Sequence, residues 1–274
     1  MTDQSVVKPP LVMGIVNVTP DSFSDGGRHA TTEAALAHAL KLIDQGVDVL
    51  DIGGESTRPG SDPVDEAEEI ARVTPLIAAI RTRWDGRISI DTMKPGVARA
   101  AAAAGATMWN DVTALSHAPD SLATAAELGC EVVLMHMKGA PKTMQDDPCY
   151  DDVVAEVAAY LAARAEAAMA AGVARERIWL DPGIGFAKTT AHNLTLTARL
   201  GVLVDLGFPV LYAASRKRLI QGVDETALQA EDRLGGSVAL ALEGARRGAC
   251  MVRVHDVRET VQALKLQATV TAAG

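Results

Sequence analysis

Aromatic side chains are scarce. The chain has three Phe, three Trp and three Tyr in 274 residues. A core of this size must be aliphatic, so an aromatic near a polar motif gains interest. Cysteine is scarcer still: Cys130, Cys149 and Cys250 lie far apart and form no CxxC. An odd, scattered set argues against a disulfide framework and fits a reducing cytoplasm. Cys130 and Cys250 each border an apolar run, so both are expected to be buried as small hydrophobes. No run of 18 apolar residues occurs, which argues against a membrane span. The first residues, MTDQSVVKPP, lack the basic and apolar regions of a signal peptide. Cations are outnumbered, 26 Lys and Arg against 35 Asp and Glu, for a net charge of −9. With no Lys/Arg tract, non-specific nucleic-acid binding is disfavoured. An anionic ligand would need a few local cations and backbone donors.

What is present is regular. Eight short apolar runs, at 11–17, 47–52, 88–91, 107–112, 131–136, 178–181, 209–214 and 251–255, show little polar alternation. Such runs suit strands buried on both faces of a parallel sheet. Helical patterns lie between them, at 31–45, 63–84, 95–104, 119–129, 151–171, 190–206, 227–248 and 256–269. Several end at glycines placed to close a helix, such as Gly105, Gly129 and Gly172. The composition shows no break. The expectation is one α/β domain over 1–274, a (β/α)8 TIM barrel of parallel strands. An open doubly wound sheet is the alternative.

In a barrel the active site forms where strands end and βα loops begin. The eight run ends are polar: Asn17, Asp51, Asp91, Asn110-Asp111, His136, Asp181, Ser215-Arg216-Lys217 and Arg253-Val254-His255. Asp91, Asn110 and Asp181 offer acceptors and one amide, and Lys217 offers a donor. A flat heterocycle with an amidine edge and a carbonyl, such as a pterin or guanine, would suit them. Met135 and Phe186 could touch its faces. Taken alone, Asp91 or Asp181 could equally cap a helix or pair with a base. A cationic set, Arg58, Arg253, His255 and Arg216, reads as a phosphate or diphosphate seat beside a helix N-terminus. Arg253 paired to a structural acid is the alternative. Asn17 could approach a Mg²⁺ that bridges diphosphate oxygens, because Mg²⁺ takes few protein ligands. It could instead tie down its own loop.

Other motifs fail. Gly183-Ile184-Gly185-Phe186-Ala187-Lys188 lacks the third glycine of a dinucleotide fingerprint. The segment ending Ala187-Lys188-Thr189 lacks the glycine before the lysine of a P-loop. No HExxH or close histidine cluster suggests zinc. His29 and His38 are expected at the surface, and His192-Asn193 is expected to open a helix.

Two long segments carry a resemblance. Met13-Gly14-Ile15-Val16-Asn17-Val18-Thr19-Pro20-Asp21-Ser22-Phe23-Ser24-Asp25-Gly26-Gly27 is similar to the first signature of the dihydropteroate synthases. Asp51-Ile52-Gly53-Gly54-Glu55-Ser56-Thr57-Arg58-Pro59-Gly60 is similar to the second. The segments SIDT, WNDV, LMHMKG, LDPGIGF, SRK and RVHDV follow in the family's order, so the resemblance covers roughly 11–257. It implies a pterin-binding barrel that joins 6-hydroxymethyl-7,8-dihydropterin diphosphate to 4-aminobenzoate. It also implies Mg²⁺, a homodimer and the target of sulfonamides. Asp91, Asn110, Asp181 and Lys217 match the family's pterin contacts, and Met135, Ile15, Val112 and Phe186 its pocket walls. Asn17, Arg253 and His255 match the diphosphate and metal subsite, to which the charge reading adds Arg58. Phe23, Asp25, Thr57, Arg58, Pro59 and Ser215 match loop and 4-aminobenzoate positions. Asp91, Asp181, Lys217, Arg253 and His255 are the candidate catalytic residues. Ala187 and Ala213 stand where the family usually has glycine. Two other readings compete: a corrinoid methyltransferase acting on methyltetrahydrofolate, and a pterin-binding paralogue without synthase activity.

Overall fold

The computed structural model describes residues 9–18, 27–56, 62–139, 144–146 and 148–273. Eight parallel strands alternate with helices in a single sheet: β1 (Leu11–Asn17), β2 (Val49–Gly53), β3 (Arg87–Asp91), β4 (Met108–Asp111), β5 (Glu131–Met135), β6 (Ile178–Asp181), β7 (Leu211–Tyr212) and β8 (Met251–Val254). Their order is β6-β5-β4-β3-β2-β1-β8-β7. A bridge between Leu180 and Val210 joins the two ends, so the sheet closes on itself as a (β/α)8 barrel. Hydrogen bonding from Leu180 N to Pro209 O at 2.9 Å makes that closure. The open doubly wound alternative is thereby excluded.

Period two sorts each strand into an outer and an inner face. Outward residues such as Val16, Leu50, Ile52, Ile90, Trp109, Leu134 and Leu180 pack under the helices as one aliphatic core. Inward residues Met13, Val49, Met108, Val133, Trp179 and Met251 fill the barrel floor as a second. Ala213 belongs to that inner cluster, so its methyl group fills barrel interior. Above the floor the inward positions turn polar: Asp51, Ser89, Asp91, Asn110 and Asp181 are all buried or nearly so.

The helices are α1 (Gly27–Asp44), α2 (Glu66–Arg81), α3 (Pro95–Ala104), α4 (Ser121–Leu128), α5 (Val153–Ala170), α6 (Thr190–Ala198), α7 (Gly201–Val204), α8 (Arg218–Gln221), α9 (Leu234–Arg246) and α10 (Val257–Ala273). The caps follow from local chemistry. Asp65 accepts from Glu68 N at 2.8 Å, ahead of a first turn carrying Glu66, Glu68 and Glu69. Thr189 and His192 form a reciprocal capping box, as the His192-Asn193 reading expects of a helix start. Gly105 and Gly129 close α3 and α4 in the left-handed region.

Two helical expectations shorten. The 190–206 pattern breaks after Ala198 and resumes as a single turn at Gly201. The 227–248 pattern becomes helical only at Leu234, after a 3-10 turn over Glu231–Arg233. Gly235 and Gly236, poor helix formers, follow directly. Cys130 is half-buried against the core, but Cys250, just ahead of β8 and outside the strand, is exposed. His38 is half-buried rather than superficial: its Nε2 lies 3.3 Å from the Ile15 carbonyl oxygen. No helix among the described residues is long and apolar enough to cross a membrane.

Candidate active site

Strand register decides which polar residues meet. Ile15 is level with Asp51 and Asn17 with Gly53. Asp91 is level with both Gly53 and Asn110, and Met135 is level with Asp181. These residues share the inward parity, so β1 to β6 present them to one space at the barrel mouth. Asp111, one residue after Asn110, points the other way. It accepts from Thr113 N at 2.7 Å and from Leu115 N at 2.9 Å, which makes it a turn residue of the β4–α4 connection. Alternation thus separates two adjacent polar residues into a site position and a structural one.

The first charged cluster is built on Arg253. Its Nε donates to Asp51 Oδ2 at 2.6 Å and its Nη2 to Asp91 Oδ2 at 2.7 Å. Asn110 Nδ2 also donates to Asp51 Oδ2, at 3.3 Å. Arg253 and His255 were expected side by side as an anion seat. Instead the guanidinium turns into the barrel, onto the acids that the alternative reading had foreseen. Two carboxylates share one cation here, and among the described residues Asp51 Oδ1, Asp91 Oδ1 and Ser89 Oγ are buried without a hydrogen-bond partner. Burial pushes the Asp91 carboxyl up to about 7; Arg253 pulls against this and Asp51 adds to it. Burial also opposes the charge on Arg253, but Asp51 and Asp91 outweigh it and hold the guanidinium protonated.

The second cluster lies across the mouth. Asp181 Oδ1 accepts from Gly183 N at 2.7 Å, which fixes the carboxylate against its own loop. Burial raises its pKa, and Lys217 is the main opposing influence. The Lys217 ammonium donates to the Ile184 carbonyl and stands 4.7 Å from the centre of the Phe186 ring. Burial pulls Lys217 down to about 8, with Asp181 holding it up. Met135, Ile15 and Val112 are buried, whereas Phe186 remains half-exposed. An acceptor, an amide and an ammonium beside an open ring face can recognise a planar heterocycle through its edge and its face.

Ser215 and His255 form a third contact. Ser215 Oγ lies 3.1 Å from His255 Nδ1 and accepts from His255 N at 3.2 Å. Arg216, a candidate cation of the anion seat, is already engaged. It makes two bonds to Asp256, at 3.0 and 2.5 Å, and its backbone N donates to Ser237 Oγ. It therefore joins the ends of β7 and β8 instead of facing a ligand. Phe23, Asp25, Thr57, Arg58 and Pro59 lie outside the described residues.

Asn17 stands half-buried at the end of β1, with its side-chain oxygen beside Gly53. Among the described residues no group of three or more His, Cys, Asp or Glu side chains could hold a metal. A single amide oxygen fits a Mg²⁺ carried mainly by a phosphorylated substrate and water, and does not fit a metal caged by protein. Sequence reasoning overlooked two polar residues of the mouth. Asp51 was seen as a strand end but given no role; its inward parity with Ile15 and Asp91 was the available signal. Lys188 was dismissed with a failed phosphate loop.

Known proteins can be set beside this geometry. The family described as pterin binding enzyme matches residues 13–255. The dihydropteroate synthase of Escherichia coli K12 is 47% identical over 264 residues, covering 96% of this chain and 93% of that one. A solved Xanthomonas albilineans dihydropteroate synthase with 4-aminobenzoic acid superposes with a TM-score of 0.91 at 52% identity, over 97% of this chain and 94% of that chain. The same bacterium's enzyme in complex with 7,8-dihydropteroate gives a TM-score of 0.87 at 48% identity, over 97% and 95%.

Proposed function

The chain belongs to the pterin-binding enzyme family, and we propose on that premise that it works as a dihydropteroate synthase. It joins 6-hydroxymethyl-7,8-dihydropterin diphosphate to 4-aminobenzoate. The amine nitrogen attacks the CH2 group, the C–O bond to diphosphate breaks, and the nitrogen gives up a proton. The products are 7,8-dihydropteroate and diphosphate. The observation that carries this reading is the inward polar layer of Asp91, Asn110 and Asp181 at the mouth of a barrel that matches the family along nearly its whole length.

In this reading Asp181 and Asn110 meet the edge of the pterin ring, and Lys217 meets its carbonyl. Met135, Ile15, Val112 and Phe186 bound its faces. Ring nitrogen lone pairs can stabilise positive charge at the CH2 group, so ionisation can precede attack. Asp181 favours that charge electrostatically. Arg253 and His255 receive the leaving diphosphate. For Arg253 this means releasing one of its two carboxylates, and protonation of Asp91 near neutrality lowers the cost of that release. Asn17 would hold Mg²⁺, which supplies charge neutralisation on the leaving diphosphate. Ser215, with Phe23, Asp25, Thr57, Arg58 and Pro59 of the two loops, takes the 4-aminobenzoate. Its amine is neutral near pH 7, so no strong general base is needed. A homodimer in the cytoplasm belongs to the same proposal. The exposed Leu266 and Val270 of α10 offer apolar surface to a second copy.

Diphosphate release from the purified chain tests the reading. With the dihydropterin diphosphate, Mg²⁺ and 4-aminobenzoate together, release should depend on each and yield dihydropteroate. Tight pterin binding without turnover would instead favour the inactive paralogue. Methyl transfer from methyltetrahydrofolate to a corrinoid would favour the methyltransferase.

A further inference from the structure

Lys188 is among the most buried charged residues of the chain, at 4% exposure, yet it forms no ion pair within 4 Å among the described residues. Its ammonium is held by neutral acceptors. Nζ lies 2.9 Å from His136 Nδ1, 3.0 Å from Phe186 O, 3.1 Å from Gly183 O and 3.4 Å from His136 O. Burial pulls His136 down to about 3, with Lys188 adding to the effect, so its ring is neutral and its Nδ1 is an acceptor. The hydrogen therefore sits on Nε2. Burial also pulls Lys188 down to about 7; Asp181 opposes this and Lys217 adds to it.

These acceptors, one ring nitrogen and three backbone carbonyls, all lie next to the pterin pocket. Gly183 accepts from Lys188 through its carbonyl while its N–H donates to Asp181. Phe186 carries the ring beside Lys217. His136 directly follows Met135, the neighbour of Asp181 in the sheet. The loop from Gly183 to Lys188 takes left-handed backbone at Gly183, Gly185 and Ala187. A Cβ on Gly183 would stand 1.9 Å from the His136 oxygen, which leaves no room for a side chain where the loop closes on β5. The loop's outer end is clamped separately, by Tyr150 Oη donating to the Ala187 carbonyl at 2.9 Å. Such a loop has little regular hydrogen bonding of its own, and the three N–H donors of one ammonium serve the His136 ring and the Gly183 and Phe186 carbonyls.

We propose that Lys188 is a positioning residue of the reaction: it holds the Gly183–Phe186 backbone against His136 and thereby sets the Asp181 carboxylate and the Phe186 ring for the pterin. The proposal rests on the dihydropteroate synthase reading. It assigns Lys188 to the pterin half of the site and not to the 4-aminobenzoate half.

The test compares wild type with Lys188→Met, which keeps the volume and removes the donors. The readouts are the pterin Kd by calorimetry, using the diphosphate-free hydroxymethyl dihydropterin, the KM for each substrate, and a thermal melt. In a folded Lys188→Met protein the pterin Kd should rise tenfold or more, while the KM for 4-aminobenzoate changes less than threefold. A pterin Kd within threefold of wild type, or equal losses toward both substrates, would overturn the proposal. If Lys188→Met gives no cooperative melt, Lys188→Gln, which removes the charge and one of the three donors, carries the test. Its pterin Kd should rise at least threefold at constant amine KM, and an unchanged pterin Kd would overturn the proposal. A wild-type protein that binds no pterin would reject the synthase reading itself, an outcome distinct from a variant that binds as well as wild type.

Discussion

On one side of the barrel mouth two carboxylates, Asp51 and Asp91, share the guanidinium of Arg253. On the other side two ammonium groups, Lys188 and Lys217, lie in the field of Asp181, with Asp91 a lesser influence on Lys217. Each side has one partner too few, and the signs are opposite. Burial then acts on the surplus charge. It pushes Asp91 up to about 7 and pulls Lys188 and Lys217 down to about 7 and about 8. These groups are therefore not simply paired off for stability. The base-rich wall carries both an acceptor, Asp181, and a donor, Lys217, for the edge and the carbonyl of one ring, while the acid-rich wall holds the cation that faces its diphosphate.

The base-rich wall should fail most completely. Asp181→Asn removes its only carboxylate and leaves Lys188 and Lys217 uncompensated, so pterin affinity should fall about 100-fold or more, read by calorimetry. An unchanged Kd would remove Asp181 from the ring contacts. The acid-rich wall should fail differently. Arg253→Ala should lower kcat by about 100-fold, as for loss of a group that stabilises developing charge, with less than tenfold change in the Kd of the diphosphate-free pterin. It should also cost about 3–5 kcal/mol of stability, because two buried carboxylates lose their counterion. Equal losses in kcat and pterin Kd would cancel the distinction between the walls.

pH sharpens the contrast further. Asp91 has a folded pKa raised from 3.8 to about 7, so the folded chain binds the extra proton across that window. Its contribution to stability is full below about 3.8 and lost as the pH rises through about 7. The two lysines have lowered values, so their contribution runs the other way, improving as the pH climbs from 7–8 toward 10.5. Urea unfolding of wild type and Asp91→Asn should therefore show Asn gaining on Asp between pH 5 and pH 8. A gap independent of pH would mean that Asp91 does not titrate there. A smaller effect concerns backbone. Ala187 occupies the left-handed region at φ 49°, where the family usually has glycine. Ala187→Gly should raise stability by about 1 kcal/mol in thermal or urea unfolding; a loss would mean that the loop tolerates alanine without strain.

Much of the architecture was legible because its signals are local. Apolar runs such as 131–136 and 178–181, closed by polar residues and separated by helical patterns, carry the strand count and the direction of the mouth. The inward parity of Asp91, Asn110 and Asp181 also follows from position within each strand. Pairing was not legible, because it depends on which walls the folded chain brings together. Arg253 and Asp51 are 202 residues apart, and neither shows which acid takes the guanidinium. Arg216 was a further candidate for an anion, but Asp256, 40 residues on, engages it. Lys188 sat within a motif judged only as a phosphate loop, and its acceptors include a histidine 52 residues earlier. Cys250 was expected to be buried because it borders the 251–255 run, but the residue just ahead of a strand is not held to either buried face, and it is exposed.

The central claim is that a pterin ring lies between these two walls. A crystal structure of the protein with 6-hydroxymethylpterin tests it most directly. The account predicts the ring edge on Asp181 and Asn110, the ring carbonyl toward Lys217, and Arg253 still on Asp51 and Asp91 beside the vacated diphosphate side. A ring seated outside the barrel, away from Asp181 with both walls undisturbed, would contradict it.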